Sequence, residues 1–281
     1  MKKFNKIFIA LLISISMLFI FGCEPASDNS YDVGRTVYSQ GSRDSARIFY
    51  PENIDQLSDV GATTLTSGMG GSKEGMYWLA EPIADAGMVV VAVSASDNMT
   101  VSGYETAHKS GIGILKEENS NPDSPIHGKI VKYGIMGYSK GGGGSINASS
   151  DLGDEVDTCI GLAPWGASPS SNLSAATMIL TGTTDMIAAA SMGKRAFEDL
   201  PDVPRLYASL RGEGHMFWNM NSNPGNADDL IVAWLKYYLE GDSSYLSLIE
   251  NPGSEFTDYE YHPDGSGGGG GGTPGPGGCT Y

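Results

Sequence analysis

Residues 130–145 read Ile130-Val131-Lys132-Tyr133-Gly134-Ile135-Met136-Gly137-Tyr138-Ser139-Lys140-Gly141-Gly142-Gly143-Gly144-Ser145. The run from Ile130 to Met136 has the length and apolar character of a strand, and the small residues from Ser145 onward start a helix. Between them, Gly137-Tyr138-Ser139-Lys140-Gly141 is the single G-x-S-x-G match in the chain. A serine placed between strand and helix in this pattern occupies a sharp, strained turn. The flanking glycines are needed there because any side chain would strike the strand or the helix. Gly142, Gly143 and Gly144 extend the permissive stretch. The competing interpretation is a glycine-rich turn with an incidental serine.

A serine hydroxyl becomes a useful nucleophile only beside a base. The chain has four histidines. His108 falls in a predicted helix, His127 precedes the Ser139 strand, and His262 lies near the glycine-rich end. His215, in Gly212-Glu213-Gly214-His215, follows a strand ending at Leu210 and lies downstream of the serine. Such a base needs an acid to fix its tautomer. Asp185, reached from the strand at Met178–Leu180 through Thr181-Gly182-Thr183-Thr184, gives the order Ser, Asp, His along the chain. Asp151, Asp154 and Asp157 read as a solvated acidic loop, and Asp199 and Asp202 as a helix end and a proline turn. An attacking serine also calls for two N–H donors to meet the oxyanion. Lys140 supplies one; Ser67-Gly68-Met69-Gly70-Gly71 supplies the other, from Met69 first and Gly70 second.

Strands are expected over Ser45–Tyr50, Ala62–Thr66, Met88–Val93, Val156–Ala163, Ala176–Leu180 and Pro204–Leu210. Helices are expected over Met76–Ala86, Tyr104–Glu117, Ser191–Asp199 and Ala227–Leu239. Alternation of this kind gives an α/β domain, with a mostly parallel central sheet flanked by helices and reactive groups beyond the carboxyl ends of the strands.

The chain begins with Lys2, Lys3 and Lys6 ahead of an apolar stretch from Ile7 to Phe21. At about 15 residues this is too short to span a bilayer as a helix, and it has the form of an export signal over residues 1–22. Ile20-Phe21-Gly22-Cys23 is similar to a bacterial lipobox, in which Cys23 would be lipidated. Phe21 is bulky for that position, so cleavage without lipid stays open. Residues 23–34 read as a polar tether, 35–262 as the catalytic domain, and 263–281 as a disordered glycine-rich tail. The expected location is outside the cytoplasm, as a cell-surface lipoprotein or a secreted protein.

A formal charge of −16 argues against nucleic acid as a partner, since that binding depends on clustered Lys and Arg. Beyond Cys23, Cys159 sits in an apolar run where a buried thiol is expected, and a bridge to Cys279 is the alternative. No Cys/His spacing suggests zinc, and neither metal nor organic cofactor is implied. A monomer is the expected state, with membrane contact only through Cys23.

Five stretches together resemble the bacterial polyester hydrolases, the cutinase and poly(ethylene terephthalate) hydrolase group of the α/β-hydrolases. They are Ser67-Gly68-Met69, Glu81-Pro82-Ile83-Ala84, Gly134 to Ser145, Ala163-Pro164-Trp165 and Gly214-His215. The resemblance runs from about Arg47 to Gly253 and implies an α/β-hydrolase fold without a substantial lid. It also implies a triad of Ser139, Asp185 and His215 and an oxyanion hole at Met69 and Lys140. Trp165 would be an aromatic wall, with Gly70, Tyr138, Ile187 and Met216 as further substrate contacts. The chain departs from the group at Met69, where an aromatic is usual, and at Lys140, where Met or Gln is common. It also departs at Tyr138, and at Ile249, near the place of a cysteine. An apolar rim is expected from Met69, Trp165, Met216, Phe217 and Trp218. The expectation is hydrolysis of a polyester or bulky hydrophobic ester through an acyl-enzyme. A lipase or general carboxylesterase is the alternative, and a catalytically silent surface binding protein the rival of another class.

Overall fold

The computed structural model describes residues 33–40, 44–219 and 227–265. The leader, Cys23, Cys279 and the glycine-rich tail from residue 266 lie outside the described residues, as does any bridge between Cys159 and Cys279.

Among the described residues the strands are Val33–Gln40 (β1), Asp44–Pro51 (β2), Val60–Thr66 (β3), Val89–Ser94 (β4), Ile130–Tyr138 (β5), Thr158–Leu162 (β6), Ala176–Gly182 (β7), Arg205–Leu210 (β8) and Phe256–His262 (β9). They form one sheet in the order β1-β2-β4-β3-β5-β6-β7-β8-β9. Strands β3 to β8 run parallel, while β1, β2 and β9 are antiparallel to their neighbours at the two edges. The helices are Tyr77–Asp85 (α1), Val101–Ser120 (α2), Lys140–Leu152 (α3), Ala190–Glu198 (α4), Ala227–Leu235 (α5) and Leu246–Glu250 (α6).

The period-two geometry of a strand divides the core into two faces. In β4, Val90 and Ala92 pack with Leu79 and Ile83 of α1, Ile231 and Trp234 of α5, and Ile249 of α6. Val89, Val91 and Val93 face Tyr104, Ile114 and Leu115 of α2. Farther along that second face, Ile135, Cys159 and Ile179 meet Ile146 of α3 and Phe197 of α4. This is the mostly parallel sheet with flanking helices of an α/β-hydrolase. Cys159 is fully buried there, and burial pushes its thiol up to about 11.

Several boundaries differ from the sequence expectation. β1 begins at Val33, two residues inside the stretch read as tether, because it pairs with the whole of β2 from Val33↔Pro51 to Gln40↔Asp44. β9 adds an edge strand that the sequence reading did not assign, and residues 263–265 continue past it. α2 starts earlier, at Val101, where the Thr100 hydroxyl accepts the N–H of Gly103 at 3.1 Å as an N-cap. α5 ends at Leu235 and passes into a π-turn over Lys236–Glu240, stopped by left-handed Gly241. Most consequentially, α3 begins at Lys140, so Gly141 to Gly144 are helical rather than an extension of the turn.

Candidate active site

Ser139 joins β5 to α3 with φ 55° and ψ −121°, a conformation L-residues hold only when their surroundings impose it. Three backbone bonds impose it. The Ser139 N–H donates to Leu162 at 2.8 Å, and its carbonyl accepts from Gly143 and Trp165, each at 2.9 Å. Ala163, also at positive φ, turns the chain so that Trp165 can make its contact. The glycines permit close approach. A Cβ on Gly68 would lie 2.8 Å from that of Ser139, and one on Gly142 would lie 2.8 Å from the Gly137 carbonyl oxygen. On Gly141 and Gly143 it would run into the carbonyl oxygens of Ser67 and Trp165.

His215 opens a 3-10 turn, His215–Asn219, just beyond β8. Asp185 lies on the loop after β7. Its Oδ1 accepts the N–H groups of Ile187 and Ala188, each at 2.8 Å, and its Oδ2 lies 2.7 Å from His215 Nδ1. A carboxylate at Nδ1 fixes the proton on that nitrogen, so Nε2 accepts the Ser139 hydroxyl at 2.9 Å. The Asp185 side chain is fully buried, while Ser139 and His215 keep 6% and 8% exposure, enough to be reached from a pocket but not from open solvent. Tyr138 steadies His215: its hydroxyl donates to the His215 carbonyl at 2.9 Å, and burial pushes its pKa well up.

Met69 follows β3 on a loop tied by backbone bonds. Gly70 donates to the Asn98 carbonyl and Gly71 to the Gly68 carbonyl, each at 2.9 Å. The Tyr104 hydroxyl is shared between the carbonyls of Gly68 and Asn98, and burial pushes its pKa up to about 12. Among the described residues, the N–H groups of Met69 and Lys140 donate to no protein acceptor, as an oxyanion site requires. Beneath this loop, fully buried His108 touches Thr64 and Thr66 of β3 and the Gly141 carbonyl of α3.

A cavity of about 450 Å³ opens over Ser139. Gly70, Tyr138, Trp165, Ile187 and Met216 all line it, together with Met69, Lys140 and His215. Gly68 and Gly71 of the same loop also line it, as does Asn219, which was not singled out from the sequence. The expected rim needs one correction. Trp218 is buried in the core, with its carbonyl accepting from Trp78 Nε1 at 3.2 Å, and Phe217 packs partly buried against the same cluster. The turn at His215–Asn219 directs both inward. Exposed methionines stand in the neighbouring loops instead: Met186 is 95% exposed, beside Asp185, and Met99 lies where its carbonyl accepts the Lys140 ammonium at 2.6 Å.

The remaining histidines stand elsewhere: His127 bonds Asn119, and His262 stacks near Phe197. Among the described residues, no group of His, Cys, Asp and Glu is arranged to hold a metal ion, and no helix is long and apolar enough to cross a membrane.

The family model for PETase, PET hydrolase-like, matches residues 25–263. Cutinase est2 of Thermobifida alba is 26% identical over 207 residues, covering 72% of this chain and 66% of that protein, just under two thirds of its length. Cutinase 1 of Thermobifida cellulosilytica is 27% identical over 209 residues, covering 72% and 76%. A bis(hydroxyethyl) terephthalate hydrolase of Streptomyces coelicolor is 26% identical over 203 residues, covering 70% and 63%. These relatives are carboxylic ester hydrolases by name. With the family match spanning most of its length, the chain belongs to the PET hydrolase-like family.

Proposed function

We propose that the protein is a serine ester hydrolase acting on polyesters or similarly bulky hydrophobic esters. The observation that carries this reading is the unbroken hydrogen-bond line from Asp185 through His215 to Ser139 at the floor of an open, largely apolar cavity. In the proposed mechanism His215 Nε2 takes the Ser139 proton as Oγ attacks the ester carbonyl carbon. Asp185 stabilises the imidazolium, and the N–H groups of Met69 and Lys140 hold the oxyanion. Collapse expels the alcohol, which takes the proton from His215. Water activated by the same base then cleaves the acyl-enzyme.

The polymer part of the reading rests on exposed Met69, Trp165, Met186, Ile187 and Met216, an apolar surface a solid substrate can lie against. Wild type and Ser139→Ala should be compared on p-nitrophenyl butyrate and on polyester film. Loss of both activities in the variant supports the whole reading. Hydrolysis of the soluble ester with none of any film leaves a general carboxylesterase. Equal rates in both proteins on the soluble ester refute the serine mechanism.

We also propose export, on the basic and apolar character of residues 1–22, with Cys23 as the anchoring residue. Mass spectrometry of the mature N-terminus checks it. An acylated Cys23 supports anchoring, an unmodified cleaved end supports secretion alone, and a retained Met1 refutes export.

A further inference from the structure

Among the described residues that line the cavity, Lys140 is the one with a permanently charged side chain. The remaining lining residues are glycines, apolar side chains and uncharged polar groups, with His215 engaged by Asp185. Its ammonium donates to the Met99 carbonyl at 2.6 Å, which holds it in place and leaves further N–H donors unspent. Lys73, Lys109, Lys116, Lys194 and Lys236 each reach a carboxylate. Lys140 makes no such pair among the described residues. Asp97, whose charge is felt nearby, already accepts from the Thr100 hydroxyl at 2.6 Å and the Met99 N–H at 3.0 Å. In a chain of net charge −16, Lys140 lines the cavity one residue from the serine, and among the described residues no carboxylate lies within ion-pair distance of its ammonium.

We infer that Lys140 selects esters whose acyl half carries a carboxylate, that is, half-esters of dicarboxylic acids. The inference deepens the proposed ester hydrolysis and rests on Ser139 as nucleophile. When a polyester of a diacid is cut, the acyl-side fragment ends in a free carboxylate, so the last unit of that fragment is itself such a half-ester. A cation on a flexible four-carbon stem beside the oxyanion donors meets that carboxylate while the ester carbonyl sits over Ser139. Anionic chain ends and half-esters then become preferred substrates rather than ones repelled by an acidic protein.

The test compares kcat/KM for mono-4-nitrophenyl adipate with that for 4-nitrophenyl hexanoate, a neutral ester of the same acyl length. It uses wild type, Lys140→Arg, Lys140→Met and Lys140→Gln. The anionic-to-neutral ratio should fall about fivefold in the Met and Gln variants, as expected for one solvent-open ion pair, and hold in the Arg variant. Each ratio is internal to one protein, so a general loss of activity or stability cancels. An unchanged ratio in Lys140→Met and Lys140→Gln overturns the inference while leaving ester hydrolysis intact. Failure of wild type on both esters overturns the reading of Ser139 and this inference with it.

Discussion

His108 Nε2 lies 3.1 Å from the carbonyl oxygen of Gly141, and because a carbonyl can only accept, the proton of this buried imidazole is on Nε2. Nδ1 then accepts the Thr64 hydroxyl at 2.7 Å. The ring thereby fastens the end of β3 to the first turn of α3, which are the two pieces that present Met69 and Ser139. Burial lowers its pKa from 6.5 to about 4.

That shift gives a pH dependence with a definite sign. Above the unfolded pKa, the imidazole is neutral in both states and costs nothing. As pH falls from about 6.5 toward 4, the unfolded chain binds a proton that the folded protein refuses, so stability declines. The full loss is about 3 kcal/mol and is complete once pH is below the folded value. Urea unfolding at pH 7 and pH 4.5 should show a smaller decline for His108→Gln, whose amide can keep both bonds without titrating. An identical decline in the variant would assign the effect to another group.

Asp185→Asn should lower kcat by about four orders of magnitude with little change in KM. The carboxylate Oδ1 accepts from two backbone N–H groups, so an asparagine places its oxygen there and turns its NH₂ toward His215 Nδ1. The imidazole must then carry its proton on Nε2, where it cannot accept one from Ser139. Steady-state kinetics check this, and a loss confined to KM would contradict it.

Two glycine-to-alanine changes, both inside helices, should have opposite signs. Gly113, on the exposed side of α2, has open space where a Cβ would go, so Gly113→Ala should stabilise by about 1 kcal/mol. Gly143 faces the Trp165 carbonyl, so Gly143→Ala should lower Tm and reduce ester hydrolysis together. Thermal unfolding of the two variants decides it; stabilisation by both would mean the Trp165 loop yields freely.

Brief peroxide treatment should impair film hydrolysis before it impairs soluble-ester hydrolysis. Met69, Met99, Met186 and Met216 are all about half exposed or more, and conversion of a thioether to a sulfoxide makes an apolar contact polar. Leucine at all four positions should remove the sensitivity. Parallel decay of both activities would place the lesion at the serine rather than on the contact surface.

The interior of the fold was legible where strands buried on both faces read as apolar runs, Val89 to Val93 of β4 above all, while β3 is equally buried but carries Thr63, Thr64 and Thr66. β9 was not legible, for a local reason. Asp258 adopts positive φ where the pairing slips between Tyr207 and Ser209, so the spacing from Phe256 to Tyr259 is three and the two-residue alternation breaks. That Ser139, His215 and Asp185 come together beside the Met69 loop was readable from side-chain type and position. The 3-10 turn that hides Phe217 and Trp218 was not, nor was the Asn98 carbonyl that grips Gly70, since a backbone acceptor leaves no mark in the sequence.

Four consecutive glycines at the start of α3 have a consequence for how the domain comes together. Each costs roughly 1 kcal/mol of helix propensity relative to alanine, so the segment has almost no tendency to coil by itself. The glycines instead let this turn of helix pack directly on the backbones of Ser67, Glu105 and Trp165, contributed by three other parts of the chain. The turn at Ser139 is thus a non-local structure, formed only after long-range closure and surrendered whenever any one of those neighbours swings away.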